Sequence, residues 1–176
     1  WMAGVPVRIH SEHGRDVDEL GGKQARYRML RRLHRPFVQH HVALSRELAD
    51  YLRLEVGVSG AALTELCNGV DTERFSPAAQ GPAAIEGCPF DAARCFLVGT
   101  VGRMQAVKNQ PLLAHAFARA LVIAPDLRST LRLALVGDGP LRAQCNTLLT
   151  EAGVRDLAWL PGERADVPAV MRGFSL

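Results

Sequence analysis

Between residues 95 and 176 the chain alternates short apolar runs with amphipathic stretches of helical period, and no other feature limits its fold as strongly. Residues 95–101 read as a strand. Residues 110–124 carry Leu113, Ala116, Phe117, Ala120 and Leu121 at helical spacing, and 131–136 form a second apolar run. Residues 141–152 set Leu141, Cys145, Leu148 and Leu149 in register, 157–160 read as a third strand, and a short helix follows near 167–172. Residues 173–176 look like the entry to a further strand. Strands separated by helices demand crossover connections, so the expected architecture is α/β, a parallel sheet flanked by helices.

In such sheets ligands bind at the carboxyl edge of the strands, and three loops should open there. The first, residues 102–109, reads Gly-Arg-Met-Gln-Ala-Val-Lys-Asn, and Pro111 opens the next helix. A helix start favours anions through its unpaired N–H groups and dipole, and Arg103 and Lys108 add two cations. One reading is a phosphate or diphosphate site; the other is a solvated cationic turn. Of 21 Lys and Arg residues only Lys23 and Lys108 are lysine, so a compact point charge at this loop stands out. The second loop, Gly137-Asp138-Gly139-Pro140, is a glycine turn that places Pro140 at a first helical position. It matches neither the dinucleotide glycine pattern nor a P-loop, which argues against an NAD enzyme or a P-loop NTPase. The third, residues 161–166, offers Glu163, Arg164 and Asp166. Together the loops describe a nucleotide-diphosphate pocket better than any one does.

The first half is less regular. Residues 5–9 read as a strand ending in the polar turn His10-Ser11-Glu12-His13-Gly14. His13 is a candidate ligand contact or base, or a plain surface histidine. Residues 23–35 hold Lys23, Arg26, Arg28, Arg31, Arg32 and Arg35 without an acid, with Tyr27, Leu30, Leu33 and Phe37 at helical spacing. This is a basic amphipathic helix ending near Pro36. Its cations suit an anionic membrane surface or form a solvated face. Residues 41–44 read as a strand, Ser45 as the N-cap of a helix over 46–55, and Gly57 as its stop. Residues 63–67 read as another strand before the Asn68-Gly69 turn. Pro77, Gly81, Pro82, Gly87 and Pro89 break residues 76–93 into a connector between domains.

A net charge of +3 is too small to argue for a nucleic-acid partner. No apolar run reaches the about 18 residues of a membrane span, and no signal peptide is visible. The four cysteines show neither C-x-x-C nor zinc spacing. Cys67, Cys95 and Cys145 lie in apolar contexts and read as reduced thiols. A cytoplasmic protein with no metal and no cofactor is expected.

Asn68-Gly69-Val70-Asp71 with Phe75-Ser76-Pro77, then Val101-Gly102-Arg103 with Lys108, then Leu135-Val136-Gly137-Asp138-Gly139-Pro140-Leu141-Arg142, resemble the retaining glycosyltransferases of family 4. Glu12-His13-Gly14 and the 27–32 helix look most like the bacterial sugar transferases of exosortase and exopolysaccharide systems. The resemblance implies a GT-B fold of two Rossmann-like domains, each partly present. Residues 1–75 would be the C-terminal part of the acceptor-side domain, 76–93 the linker, and 94–176 the first half of the donor-side domain. It implies that Gly102, Arg103 and Lys108 grip the donor diphosphate. It also implies that Gly137, Asp138, Glu163 and Arg164 line the nucleotide, and that His13 lies near the reacting sugar. The implied substrates are a nucleotide-diphosphate sugar and a glycan or lipid-linked acceptor, with transfer on the face the leaving group departs. The family's glutamate pair and its N-terminal glycine-rich loop are not found in these residues, so the chain reads as the centre of a longer enzyme, inactive alone. The alternatives are a non-catalytic nucleotide- or phosphate-binding module, or a membrane-surface protein acting through the basic helix, peripheral on the inner face of the cell membrane.

Overall fold

The computed structural model describes residues 4–14 and 24–176. The chain divides into two compact units, Trp1–Val70 and Asp71–Leu176, each built on its own parallel sheet.

In the first unit β1 (Ile9–Glu12), β2 (His40–Ala43) and β3 (Leu63–Glu65) lie side by side in that order. Helix α1 (Gln24–His34) connects β1 to β2, and α2 (Arg46–Asp50) follows β2. Ser45 caps α2, its Oγ accepting the Leu48 N–H at 3.2 Å. The regular helix expected over 46–55 does not persist. Over Tyr51–Val56 the winding widens to a π-helix, which ends at Gly57 with φ 83°. Arg32 and Arg35 donate to the carbonyls of Glu55 and Gly57 at 2.8 and 2.6 Å. They supply partners that a helix end lacks in its own backbone. Ala43, Leu48, Leu52, Val56 and Val58 form the core.

Strand β1 lies further along the chain than the 5–9 expected. Arg8 and Gln39 set its start, with Arg8 N–H donating to Gln39 Oε1 at 2.8 Å and Gln39 N–H to Arg8 O at 3.0 Å. His10, Ser11 and Glu12 therefore belong to the strand, not to a turn. Glu12 can enter a sheet because Arg31 of α1 meets its buried carboxylate in two hydrogen bonds, 2.8 and 3.0 Å. Strand β3 ends at Glu65, leaving Cys67 exposed rather than in an apolar setting.

In the second unit β4 (Phe96–Val101), β5 (Leu131–Val136) and β6 (Ala158–Gly162) are parallel and in that order. Helices α3 (Gln110–Ile123), α4 (Arg142–Glu151) and α5 (Val167–Arg172) follow the three strands. Strand β5 is central and covered on both faces, which is why it reads as an unbroken apolar run. Leu133 and Leu135 join Phe117, Leu121, Cys145 and Leu149 on one side. Ala134 and Val136 join Leu97, Trp159, Val170 and Ile85 on the other. In α3 the buried side is Ala114, Phe117 and Leu121, while Ala116 is exposed. Helix α4 starts at Arg142, two residues past Pro140, so that proline precedes the helix instead of opening it.

Residues 76–93 pack on this unit. Ile85 is buried, Ala83 N–H donates to Arg172 O at 2.9 Å, and Arg172 Nε donates to Ser76 O at 3.0 Å. At the far end, Ser175 N–H donates to Leu97 O and Gly99 N–H to Leu176 O, both at 2.8 Å, so residues 175–176 lie along β4 in the manner of a strand.

Candidate functional site

The loops after β4 and β5 dock backbone to backbone. Gly102 N–H donates to Val136 O at 2.9 Å, Met104 N–H to Asp138 O at 2.9 Å, and Leu141 N–H to Met104 O at 3.1 Å. A Cβ at Gly137 would stand 2.1 Å from Gly102 O, and one at Gly139 2.6 Å from Met104 O. Gly137 also has φ 129°, a conformation L side chains rarely adopt. Glycine is thus required here for loop docking. Gly137 N–H further donates at 2.8 Å to the carbonyl of Gly162, the last residue of β6, from which the third loop leaves. The structure brings together all three loops at the carboxyl edge of the sheet.

Met104 makes this junction rigid. Its side chain is fully buried among Ala114, Leu135 and Leu141, anchoring an otherwise polar loop in the core. Sequence reasoning does not single it out, although an apolar residue two positions after Gly102 is a usable signal. Nor does it single out Gln110, which is 3% exposed at the start of α3.

On this scaffold Arg103 and Lys108 are exposed, and neither side chain makes a hydrogen bond or ion pair among the described residues. Several other arginines of the unit are tied to backbone carbonyls, Arg128 to Gly153, Arg142 to Leu160, Arg155 to Ala158 and Arg172 to Arg74, while the side chains of Arg74 and Arg119, away from this loop in sequence, also lack a hydrogen bond or ion pair among the described residues. Around Gly102 a Cβ would meet nothing within 4 Å, so the backbone there is open to approach. Asp138 turns inward to its own loop, its Oδ1 accepting the Gly139 N–H at 2.7 Å. Beside it lies a cavity of about 450 Å³ bordered by Gly139, Pro140, Arg142 and Asn146.

In the loop after β6, Glu163 is exposed. Arg164 is held, donating to Asp166 at 2.8 and 2.6 Å while its guanidinium stands 5.5 Å over the Trp159 ring. These hydrogen bonds keep the Asp166 carboxyl below its ordinary range. Arg164 therefore shapes the loop, and its charge is already matched.

The first unit holds the remaining candidates. His13 is exposed at the carboxyl end of β1, directly after the buried Glu12. Burial pushes the Glu12 carboxyl up, but hydrogen bonds and charge from Arg31, helped by His10, bring it below its ordinary value. Next to it His41 is 5% exposed and stands edge-on to His10, with ring centroids 5.9 Å apart. Burial, and then the neighbouring His10 and His40, lower the His41 pKa. A cavity of about 820 Å³ runs past His10, Glu12, Arg31, His34, Phe37 and His41.

The basic helix finds partners elsewhere in the fold. Arg28 pairs with Glu55 at 2.8 Å, Arg31 with Glu12, and Arg32 with the Glu55 carbonyl. Arg26 is exposed, and Lys23 lies outside the described residues. Leu33 and Phe37, two of the residues at helical spacing, are more than half exposed at 59% and 52%, as is Met29 at 58%. Among the described residues no cluster of His, Cys, Asp and Glu is arranged to hold a metal, and no helix is long and apolar enough to cross a membrane.

No protein-family model matches the chain. Among curated proteins it is 26% identical over 174 residues to the Escherichia coli UDP-Gal:alpha-D-GlcNAc-diphosphoundecaprenol alpha-1,3-galactosyltransferase, covering 97% of this chain and 44% of that protein. It is 29% identical over 161 residues to EpsF of Bacillus subtilis strain 168, named provisionally as a glycosyltransferase, covering 89% of this chain and 39% of that protein. Among solved structures, Anabaena HepE in complex with UDP and glucose matches with TM-score 0.66 at 20% identity, over 94% of this chain and 44% of that one. A variant of TarM from S. aureus, in complex with UDP and other ligands, matches with TM-score 0.73 at 12% identity, over 99% of this chain and 33% of that one. The fold is that of the GT-B glycosyltransferases, and the chain spans less than half the length of these relatives.

Proposed function

We propose that this chain is part of a glycosyltransferase that takes its sugar from a nucleoside-diphosphate donor. The observation that carries the reading is the 102–109 loop. It presents Arg103 and Lys108 with uncommitted charge, on a backbone fixed by the glycine turn after β5. As the glycosidic bond breaks, negative charge grows on the leaving diphosphate. Preorganised cations stabilise that charge more in the transition state than in the ground state. Gly102 leaves room for phosphate oxygens to approach. Asp138 and Glu163 flank the nucleotide, and Gly137 and Arg164 hold the loops that carry them. UDP in the HepE and TarM complexes supports a uridine donor.

The finer assignments rest on the sequence resemblance. They are membership of family 4, retention of anomeric configuration, and a place in exopolysaccharide assembly. His13 is assigned to the reacting sugar, and the second and first units to donor and acceptor. The acceptor named for the E. coli relative, a sugar on diphosphoundecaprenol, supports a lipid-linked acceptor here. Exposed Met29, Leu33 and Phe37 beside Arg26 and Arg32 support seating of α1 on an anionic bilayer at the cytoplasmic face.

The test is calorimetric titration of the full-length protein with UDP, GDP and ADP, repeated for Lys108→Ala and Arg103→Ala. Each lost charge-assisted contact, worth about 1.5–3 kcal/mol, should weaken binding roughly tenfold to a hundredfold. Wild-type affinity in both variants would end the diphosphate assignment.

A further inference from the structure

The 102–109 loop has a brace that the donor reading alone does not assign. Gln110 is 3% exposed, at the first position of α3. Its Nε2 donates to the Arg103 carbonyl at 3.0 Å, across seven residues. Its Oε1 is buried and has no hydrogen-bond partner among the described residues. An orphaned amide oxygen carries a desolvation cost that an apolar side chain of the same size would avoid. The amide therefore weakens the core while its other end ties down one carbonyl.

That carbonyl sits between the two cations of the loop. Arg103 O also accepts the Gln105 N–H at 3.0 Å, and Gln105 O in turn accepts the N–H groups of Lys108 and Asn109 at 2.9 and 3.2 Å. Asn109 then takes φ 50°, the sole positive value among described non-glycine residues, before α3 begins. Such a residue persists only where its surroundings hold it. The chain of bonds runs from Gln110 through Arg103 and Gln105 back to Lys108, closing the loop on itself.

We infer that Gln110 is a positioning residue: its amide fixes the Arg103 carbonyl and so sets the spacing at which Arg103 and Lys108 meet the two phosphates of a nucleoside diphosphate. This rests on the donor reading above and goes further by naming what holds the cations in place. Gln110 touches no phosphate; it acts through the loop backbone. Its effect must then fall on the second phosphate more than on the nucleoside. A residue that merely stabilised the unit would alter every ligand alike.

The experiment uses the full-length protein, wild type, Gln110→Met and Gln110→Glu, titrated calorimetrically with UDP and with UMP, alongside thermal melts. Methionine keeps the side-chain length and removes the donor. Glutamate keeps the one acceptor oxygen and replaces the donating amide nitrogen with a second acceptor. The expected result is a roughly fivefold to tenfold loss of UDP affinity in both variants, with UMP affinity unchanged, so that the preference for UDP over UMP collapses. Three results would overturn the inference: wild-type UDP affinity in either folded variant, equal losses for UDP and UMP, or a glutamate variant with the full wild-type preference. If one variant does not fold, the other decides by the same ratio; if neither folds, the role is structural and the inference fails. A wild-type protein that binds no UDP removes the donor reading itself. That outcome is distinct from a wild type that binds UDP and a variant that matches it.

Discussion

Gly137→Ala should be among the most damaging single-methyl additions in this chain, and Gly102→Ala among the mildest, although both glycines stand in the same pair of loops. At Gly137 the new Cβ would meet Gly102 O at 2.1 Å, and the backbone has φ 129°. The nearest atoms are backbone, so no side chain can swing aside. The loops must part, and the Gly102 to Val136, Met104 to Asp138 and Leu141 to Met104 hydrogen bonds are all at risk. Those bonds contribute about 0.5–1.5 kcal/mol each, and the strained backbone adds about 1–3 kcal/mol. The expected loss is therefore about 3–7 kcal/mol. At Gly102 nothing lies within 4 Å of where the methyl would stand and φ is not positive, so the loss should stay within about 1 kcal/mol. Urea unfolding of the purified protein, followed by fluorescence of Trp159 beside β5 in the core, measures both. A Gly137→Ala protein within about 1 kcal/mol of wild type would show that the loops do not dock as described, and the rigid-loop argument for Arg103 would go with it.

Other consequences can be checked independently. Arg31→Met should destabilise the first unit by about 3 kcal/mol, because it strands the 6% exposed Glu12; adding Glu12→Gln should recover part of the loss. His41 has a lowered folded pKa, so the unfolded chain binds the proton first. Stability from His41 is full above its unfolded value of 6.5 and falls as pH drops toward the folded pKa; His41→Gln should flatten that part of a stability-against-pH curve. Glu12, also lowered, adds stability above its ordinary 4.5 that is lost at still lower pH. Arg164→Lys should shift Trp159 fluorescence, since a lysine cannot keep the paired contact to Asp166 together with the stacking. Cosedimentation with anionic vesicles should fall for Leu33→Glu; equal pelleting would remove the membrane seating of α1.

The second unit is legible because its signals are local and repeated. An apolar run at 131–136 needs no partner to be recognised as a buried strand, and the elements found at Leu131–Val136 and Val167–Arg172 coincide with the reading. The first unit is less legible because its interactions join distant residues. His-Ser-Glu is polar and so reads as part of a turn over 10–14, yet Glu12 enters the sheet on the strength of an arginine 19 positions away. The π-helical turns after Asp50 likewise depend on Arg32 and Arg35, from another helix and the turn after it. The buried side of α3 departs from the pattern at Ala116, because a helix rich in alanine gives a shallow signal.

The site shows the same division between what a residue type can announce and what only geometry decides. Gly102, Arg103 and Lys108 can be singled out because a glycine and two cations between a strand and a helix have few local uses. Gly137 and Arg164 look equally suited to a nucleotide in the sequence, yet one is consumed by backbone docking and the other by Asp166. An arginine-rich chain makes this ambiguity acute. Guanidinium groups that close helix ends and hold carbonyls carry the same letter as those that would meet a phosphate. What separates them is commitment together with place: Arg142 and Arg155 already donate to backbone oxygens, while Arg103 and Lys108 face solvent from the strand-to-helix loop without a partner among the described residues. On a backbone this constrained, ordering the loop costs little when an anion arrives, and the loss of freedom is confined to the two side chains. The rigidity of the loop, more than the number of charges on it, is what supports the proposed diphosphate reading.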